Sequence, residues 1–286
     1  MSDSLFDFDP LPDQYAVMGN PIDHSKSPRI HSEFARQTKQ HIEYHALQVD
    51  EGGLKQAVGN FQANGGKGLN ITVPFKEDAW RLVDERSTHA EQAGAVNTIM
   101  IRKDGSLFGD NTDGIGLMRD IKHNHQVKIK QLRVLIMGAG GAVRGILAPL
   151  LEQKPATITI VNRTLGKAVQ LADLFTHSTT EKQLISACAY DALDGKEFDL
   201  IINGTSASLQ GDLPPLPDNI LAEGACCYDM MYGKEPTPFL RWAAQQGASL
   251  CFDGLGMLVE QAAVSFELWR GVKPNTSPVI TLLQES

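Results

Sequence analysis

The chain has 286 residues, 42% of them hydrophobic and 21% charged, and a formal net charge of −8. That length suggests about two domains, each with enough apolar material to bury a core without disulfides or metals. The acidic balance argues against nucleic acid as the main partner, since phosphate binding wants a basic surface, yet a few Lys and Arg can still make one cleft positive for a small anion.

Met1 to Pro10 has neither a basic n-region nor an apolar h-region, so no signal peptide is expected. Tyr15–Met18 reads as a strand closed by the Gly19-Asn20-Pro21 turn. Pro28–Thr38 has helical spacing, with Ser27 as its expected N-cap. His45–Val49 is a second strand, and Leu54–Asn64 is a helix closed by Gly65-Gly66. Gly68–Val73 is a third strand, stopped by Pro74, with a helix over Phe75–Val83. Gly94–Arg102 and Leu107–Asn111 look like a hairpin about Asp104-Gly105. Asp113–Gly116 reads as the join between domains, loosened by Gly114 and Gly116.

Beyond the join the pattern changes. Gln131–Met137 is a continuous apolar run, as in a parallel strand buried on both faces. A glycine-rich turn, a helix over Ala142–Gln153, a strand at Thr157–Val161 and a helix over Leu165–Phe175 follow. Phe198–Ile202 and Ala225–Met230 are further buried strands, and helices are expected at Met257–Trp269 and Ser277–Gln284. This alternation gives an α/β fold with a doubly wound layer. Cys188, Cys226, Cys227 and Cys251 contain no C-x-x-C and read as reduced thiols of a cytoplasmic protein. No stretch approaches the roughly 18 apolar residues that span a bilayer, so no membrane association is expected.

Gly138, Ala139, Gly140, Gly141 and Ala142 lie between a strand and a helix. Gly138 permits a tight turn, Gly140 lets backbone approach a pyrophosphate, and the helix N-terminus faces it. Val143 holds the position where the usual G-x-G-x-x-G has its third glycine, so strand, turn and helix in order carry the assignment. The next strand ends Val161-Asn162-Arg163-Thr164, without the carboxylate that holds an NAD ribose. Arg163 suits a 2′-phosphate, assisted by Thr164 and Lys167, which favours NADP. The plain alternative is a solvated arginine at a strand end.

Ser25 and Ser27 either cap the first helix or bind a carboxylate at its start. Asn70 and Thr72 point to one face of a strand. Pro74 turns the chain so that Lys76 can swing over the strand's C-terminal end, although a lysine there is more often merely solvated. Asn97 and Asp113 have plain roles as turn or capping residues. His41 and His45 have helical spacing but bring no third ligand, so no metal is expected.

Several blocks together resemble shikimate dehydrogenase, in family order and over nearly the whole chain: Val17–Pro28, Asn70–Lys76, Gly94–Asn97, Asn111–Gly114, Gly138–Ala142, Asn162–Thr164 and Asp253–Gln261. The resemblance implies an N-terminal α/β substrate domain (1–113), a Rossmann-type NADP-binding domain (114–254) and C-terminal helices (255–286) returning to the first. It implies substrate contacts from Ser25, Ser27, Asn70, Thr72, Asn97, Asp113, Tyr232 and Gln261, and a catalytic pair of Lys76 and Asp113. Thr205, Met230, Gly254 and Met257 would join the glycine turn and Asn162–Thr164 along NADP. The implied reaction is reversible reduction of 3-dehydroshikimate to shikimate in chorismate and aromatic amino acid biosynthesis. The implied partner is that small molecule; a homodimer stays open. Two other readings remain: a quinate/shikimate dehydrogenase of broader cofactor use, and a non-catalytic NADP-binding sensor.

Overall fold

The computed structural model describes residues 11–176, 184–205, 207 and 211–285. Its strands form two six-stranded sheets. The first contains β1 (Asp13–Gly19), β2 (Ile42–Gln48), β3 (Gly66–Ile71), β4 (Glu85–Arg86), β5 (Thr98–Ile101) and β6 (Leu107–Asp110), in the order β2-β1-β3-β5-β6-β4. β1 pairs in parallel with β2 and β3, while β5 runs antiparallel to both β3 and β6. Helices α1 (Ser27–Thr38), α2 (Leu54–Ala63), α3 (Lys76–Leu82) and α4 (Thr88–Ala93) connect these strands. α1 buries Ile30, Phe34 and Ala35 on one face and closes at Lys39, whose left-handed backbone donates to the Ala35 carbonyl.

Next comes α5 (Asp113–Arg119), which runs into a π-helical turn over Asp120–Asn124. The second sheet holds β7 (Arg133–Met137), β8 (Thr157–Val161), β9 (Ile185–Cys188), β10 (Phe198–Asn203), β11 (Leu221–Asp229) and β12 (Leu250–Phe252). All of its pairings are parallel, in the order β12-β11-β10-β7-β8-β9. β7 thus lies beside the point where strand order reverses, where doubly wound folds bind their ligands. Helices α6 (Gly141–Leu151), α7 (Leu165–Thr176) and α8 (Pro238–Gln245) cover the sheet. Alternate residues of β7 serve both faces: Val134 and Ile136 pack with α6 and α7, Leu135 and Met137 with α8.

The chain then returns. α9 (Leu255–Arg270) packs against α5, α1 and the first sheet, and α10 (Ser277–Gln284) lies against α9. The Trp269 indole N–H donates to the Ile99 carbonyl at 3.0 Å, and Arg270 pairs with Asp13 at 2.5 Å. Gly68 makes room: a Cβ there would sit 2.5 Å from Trp269 Nε1.

Several expectations need correction. The backbone at Asp113–Gly116 is helical, so Gly114 and Gly116 do not loosen it. Gly114 and Gly116 serve close packing: a Cβ on Gly114 would lie 2.5 Å from the Gly145 carbonyl, and one on Gly116 would lie 2.7 Å from the Gln261 backbone nitrogen. The N-cap of α1 is Lys26 rather than Ser27; the Ser27 N–H donates to Ser25 Oγ at 3.3 Å. The hairpin begins at Thr98, because Thr88–Ala93 forms α4, capped by Ser87 Oγ and closed by Gly94 in the left-handed region. β2 begins at Ile42, three residues before the expected strand start at His45, whose imidazole faces Glu43 at 3.5 Å. α8, β9 and β12 were not read from the sequence. The four cysteines are free thiols. Among the described residues no helix is long and apolar enough to cross a membrane, and no cluster of His, Cys, Asp and Glu is arranged to hold a metal.

Candidate active site

Lys76 opens α3 and Asp113 opens α5, and Lys76 Nζ lies 2.6 Å from Asp113 Oδ2. The turn at Pro74 directs this meeting. The Thr72 N–H donates to the Met18 carbonyl and the Phe75 N–H to the Thr72 carbonyl, so the chain reverses before Lys76. The Asp113 side chain is 12% exposed and that of Lys76 31%, a partly desolvated pair open to a ligand.

Asn97 fixes the other carboxylate oxygen. Its Nδ2 donates to Asp113 Oδ1 at 2.7 Å, and its Oδ1 accepts from the Thr112 backbone N–H at 2.9 Å. Because a backbone N–H can only donate, the second bond settles which amide atom faces Asp113. Thr112 Oγ1 also lies 3.3 Å from Gln261 Oε1, bringing α9 to the same point. Asn70 is buried, holds the Tyr44 hydroxyl at 2.7 Å and donates to Ser265 Oγ at 3.1 Å.

These groups face a cleft of about 320 Å³. Ser25, Ser27, Asn70, Thr72, Lys76, Asn97 and Asp113 line its first-sheet side, and Gln261 and Tyr232 close it. Burial and the Asp253 carboxylate raise the Tyr232 hydroxyl above its ordinary pKa, so it stays a proton donor. Met230, Gly254 and Met257 line the same cleft from the end of β11 and the start of α9. The cleft also takes in His24 and Lys26, which the sequence reading passed over. The signal was available, since Lys26 separates the two serines. An adjoining cavity of about 510 Å³ shares His24, Lys26, Met230 and Tyr232 with it.

The rim of the second sheet leads away from Met230. The Gly138 N–H donates to the Val161 carbonyl, Gly204 to Met137 and Met230 to Asn203, so the ends of β7, β8, β10 and β11 are stitched into one edge. Gly138 has φ +107°, a conformation that suits glycine. A Cβ on Gly140 or Gly141 would meet nothing within 4 Å, and among the described residues no side chain caps the first turn of α6. Its free N–H groups, flanked by Ala139 and Ala142, therefore open onto space, an arrangement that fits a pyrophosphate. Thr205 donates to Asn203 Oδ1 through both N–H and hydroxyl, fixing the turn after β10.

Asn162 follows β8 and donates to the Thr164 carbonyl at 2.9 Å. Arg163, Thr164 and Lys167 are exposed beyond it. Asn162 and Arg163 line a separate cavity of about 610 Å³ with Tyr190, Asp191, Asp194 and Pro215–Pro217 on its walls. The two aspartates were not anticipated, and nothing in their spacing announces them.

A doubly wound sheet with an uncapped glycine turn, whose rim runs to Met230 in the wall of a cleft that holds a lysine–carboxylate pair, defines a dinucleotide-dependent oxidoreductase. The comparisons narrow this. Residues 17–99 match the shikimate dehydrogenase substrate binding domain, 120–210 match shikimate / quinate 5-dehydrogenase, and 254–284 match the shikimate 5′-dehydrogenase C-terminal domain. The chain is 57% identical over 274 residues to a shikimate dehydrogenase (NADP(+)) of Alkalilimnicola ehrlichii, covering 96% of this chain and 99% of that one. It aligns with the crystal structure of an Ael1 enzyme from Pseudomonas putida at TM-score 0.89 and 47% identity, over 95% and 98% of the two chains. It also aligns with shikimate 5-dehydrogenase from Thermus thermophilus in complex with NADP(H) and shikimate, at TM-score 0.84 and 30% identity over 96% and 99%. The chain belongs to the shikimate dehydrogenase family.

Proposed function

We propose that this chain is an NADP-dependent shikimate dehydrogenase, reducing 3-dehydroshikimate reversibly to shikimate in the route to chorismate and the aromatic amino acids. One observation carries the reading: the Lys76–Asp113 pair lies in a cleft that shares Met230, Gly254 and Met257 with the rim of the dinucleotide sheet.

The α6 turn would hold the pyrophosphate, and Arg163, Thr164 and Lys167 the 2′-phosphate. When bound, the dinucleotide supplies the hydride for reduction and takes it back in oxidation. Lys76 Nζ gives a proton to the substrate oxygen as negative charge develops there, and removes it in the reverse direction. Asp113 holds the ammonium at 2.6 Å and Asn97 holds Asp113, so the donor is aimed before substrate arrives. Ser25 and Ser27 bind the substrate carboxylate, with Lys26 and His24 beside them in the cleft. Asn70, Thr72, Asn97, Tyr232 and Gln261 address the ring hydroxyls.

The test is absorbance at the NADPH band with shikimate or quinate and with NADP⁺ or NAD⁺. Turnover confined to shikimate with NADP⁺ is the expected result. Comparable turnover of quinate, or of NAD⁺, would favour the broader enzyme. NADP⁺ binding without any turnover would favour the sensor.

A further inference from the structure

Ser265 lies on α9 one turn beyond Gln261, and Thr98 opens β5; both are fully buried and neither lines the cleft. Their hydroxyls are 2.7 Å apart. Ser265 Oγ donates to the Gln261 carbonyl at 3.1 Å and accepts from Asn70 Nδ2 at 3.1 Å. Thr98 Oγ1 lies 3.0 Å from Asn97 Oδ1 and 3.2 Å from Asn70 Nδ2. Two hydroxyls from different elements thus touch both asparagine amides of the site.

Donor and acceptor chemistry fixes the orientation of the Asn70 amide. The Asn97 carbonyl can only accept, so the Asn70 atom facing it at 3.3 Å is Nδ2. Asn70 Oδ1 is then the acceptor of the Tyr44 hydroxyl. One Asn70 hydrogen goes to the Asn97 carbonyl and the other to the hydroxyl pair. Neither is left for a ligand, and Asn70 offers the cleft only the remaining lone pair of Oδ1.

We propose that the Ser265–Thr98 hydroxyl pair is a positioning device for substrate recognition. It locks the Asn70 amide so that an acceptor, never a donor, faces the substrate, and so selects a ring hydroxyl that donates at that point. The proposal rests on the reading of the cleft as a shikimate site. Without the pair, the amide loses the partner that holds its second hydrogen, and a rotated amide would set NH₂ against the substrate.

The experiment is steady-state kinetics of shikimate oxidation with NADP⁺ on wild type, Ser265→Ala, Thr98→Val and Thr98→Ser, each with a thermal melt. Losing one such bond corresponds to about a ten-fold change. The expected result is a KM for shikimate about ten-fold higher in Ser265→Ala and Thr98→Val. Their kcat stays within roughly three-fold of wild type and their KM for NADP⁺ is unchanged. Thr98→Ser, which keeps the hydroxyl and loses the methyl, restores the wild-type KM. An unchanged shikimate KM in the folded variants overturns the proposal, as does a KM defect that Thr98→Ser fails to restore. Should Ser265→Ala not fold, the Val and Ser variants of Thr98 decide alone. Absence of shikimate turnover in the wild type itself would strike the functional reading instead.

Discussion

Lys76 and Asp113 are 37 residues apart in the chain, yet their charged atoms meet at 2.6 Å where two helices begin. The ammonium is held by one carboxylate oxygen while Asn97 holds the other, so its remaining hydrogens point to the cleft. A positioned proton donor of this kind contributes roughly 10²- to 10⁴-fold. Lys76→Ala should therefore lower kcat at least about a hundred-fold with little change in KM for shikimate. A kcat near the wild-type value would remove the lysine from the chemistry.

Arg163 stands exposed after β8, where an NAD enzyme would carry a carboxylate. Its charge-assisted bonds to a phosphate are worth about 1.5–3 kcal/mol. Arg163→Ala should weaken NADPH about ten- to a hundred-fold and leave NADH nearly unaffected. Titration of each cofactor against both proteins measures this, and equal losses for the two would dissociate Arg163 from the 2′-phosphate.

His31 is wholly buried and stacks on Tyr44 at 4.3 Å, with no hydrogen-bond partner on either ring nitrogen. Burial pushes its pKa down to about 3; the Asn70 amide is near enough to soften that penalty but not in bonding geometry. Below about pH 6.5 the unfolded chain takes up a proton that the folded one refuses until about 3. Stability therefore falls with pH across that window, by about 2 kcal/mol from this group between pH 7 and pH 5. His31→Phe keeps an aromatic ring against Tyr44 and cannot titrate. Urea unfolding at the two pH values should show the variant losing about 2 kcal/mol less than wild type. Parallel pH slopes would count against this account.

Gly116 and Gly59 both sit in helices, but only one is crowded. A Cβ at Gly116 would lie 2.7 Å from the Gln261 backbone nitrogen, whereas one at Gly59 would meet nothing within 4 Å. Overpacking costs about 1–3 kcal/mol, while replacing an unstrained helical glycine with alanine gains roughly 0.5–1 kcal/mol. Gly116→Ala should melt lower than wild type and bind shikimate less well, because Gln261 is displaced. Gly59→Ala should melt higher. The same sign in both variants would refute the packing argument.

Much of this was legible in advance where one physical cause dominates. The strand at Thr157–Val161 and the helix at Ser277–Gln284 have the bounds their patterns indicate. Thr157–Val161 consists entirely of β-branched residues, which favour a strand, and Ser277-Pro278 is a strong start signal. α5 shows the opposite case. Two glycines in four residues read as loose chain, but packing against α6 and α9 overrides their low helix propensity. α8 was missed although Thr237 caps it and Pro238 opens it, both readable signs. The candidate site residues came from local motifs and family resemblance together. No spacing rule brings Lys76 to Asp113, because that contact depends on how α3 and α5 are set against one sheet. Thr98, Ser265 and Tyr44 left no trace, since a threonine in a strand and a serine in a helix look ordinary until their hydroxyls have directions.

The return of α9 to the first sheet makes that domain discontinuous. Its cover is synthesised last, after the whole second sheet, and Trp269 and Arg270 are anchored on β5 and β1 by the final turn of that helix. A fragment ending at α5 would expose Ile30 and Phe34, which α9 buries. Anyone grafting this substrate domain onto another dinucleotide domain must therefore carry the tail with it. The second sheet is the insert, and the two ends of the chain are the host.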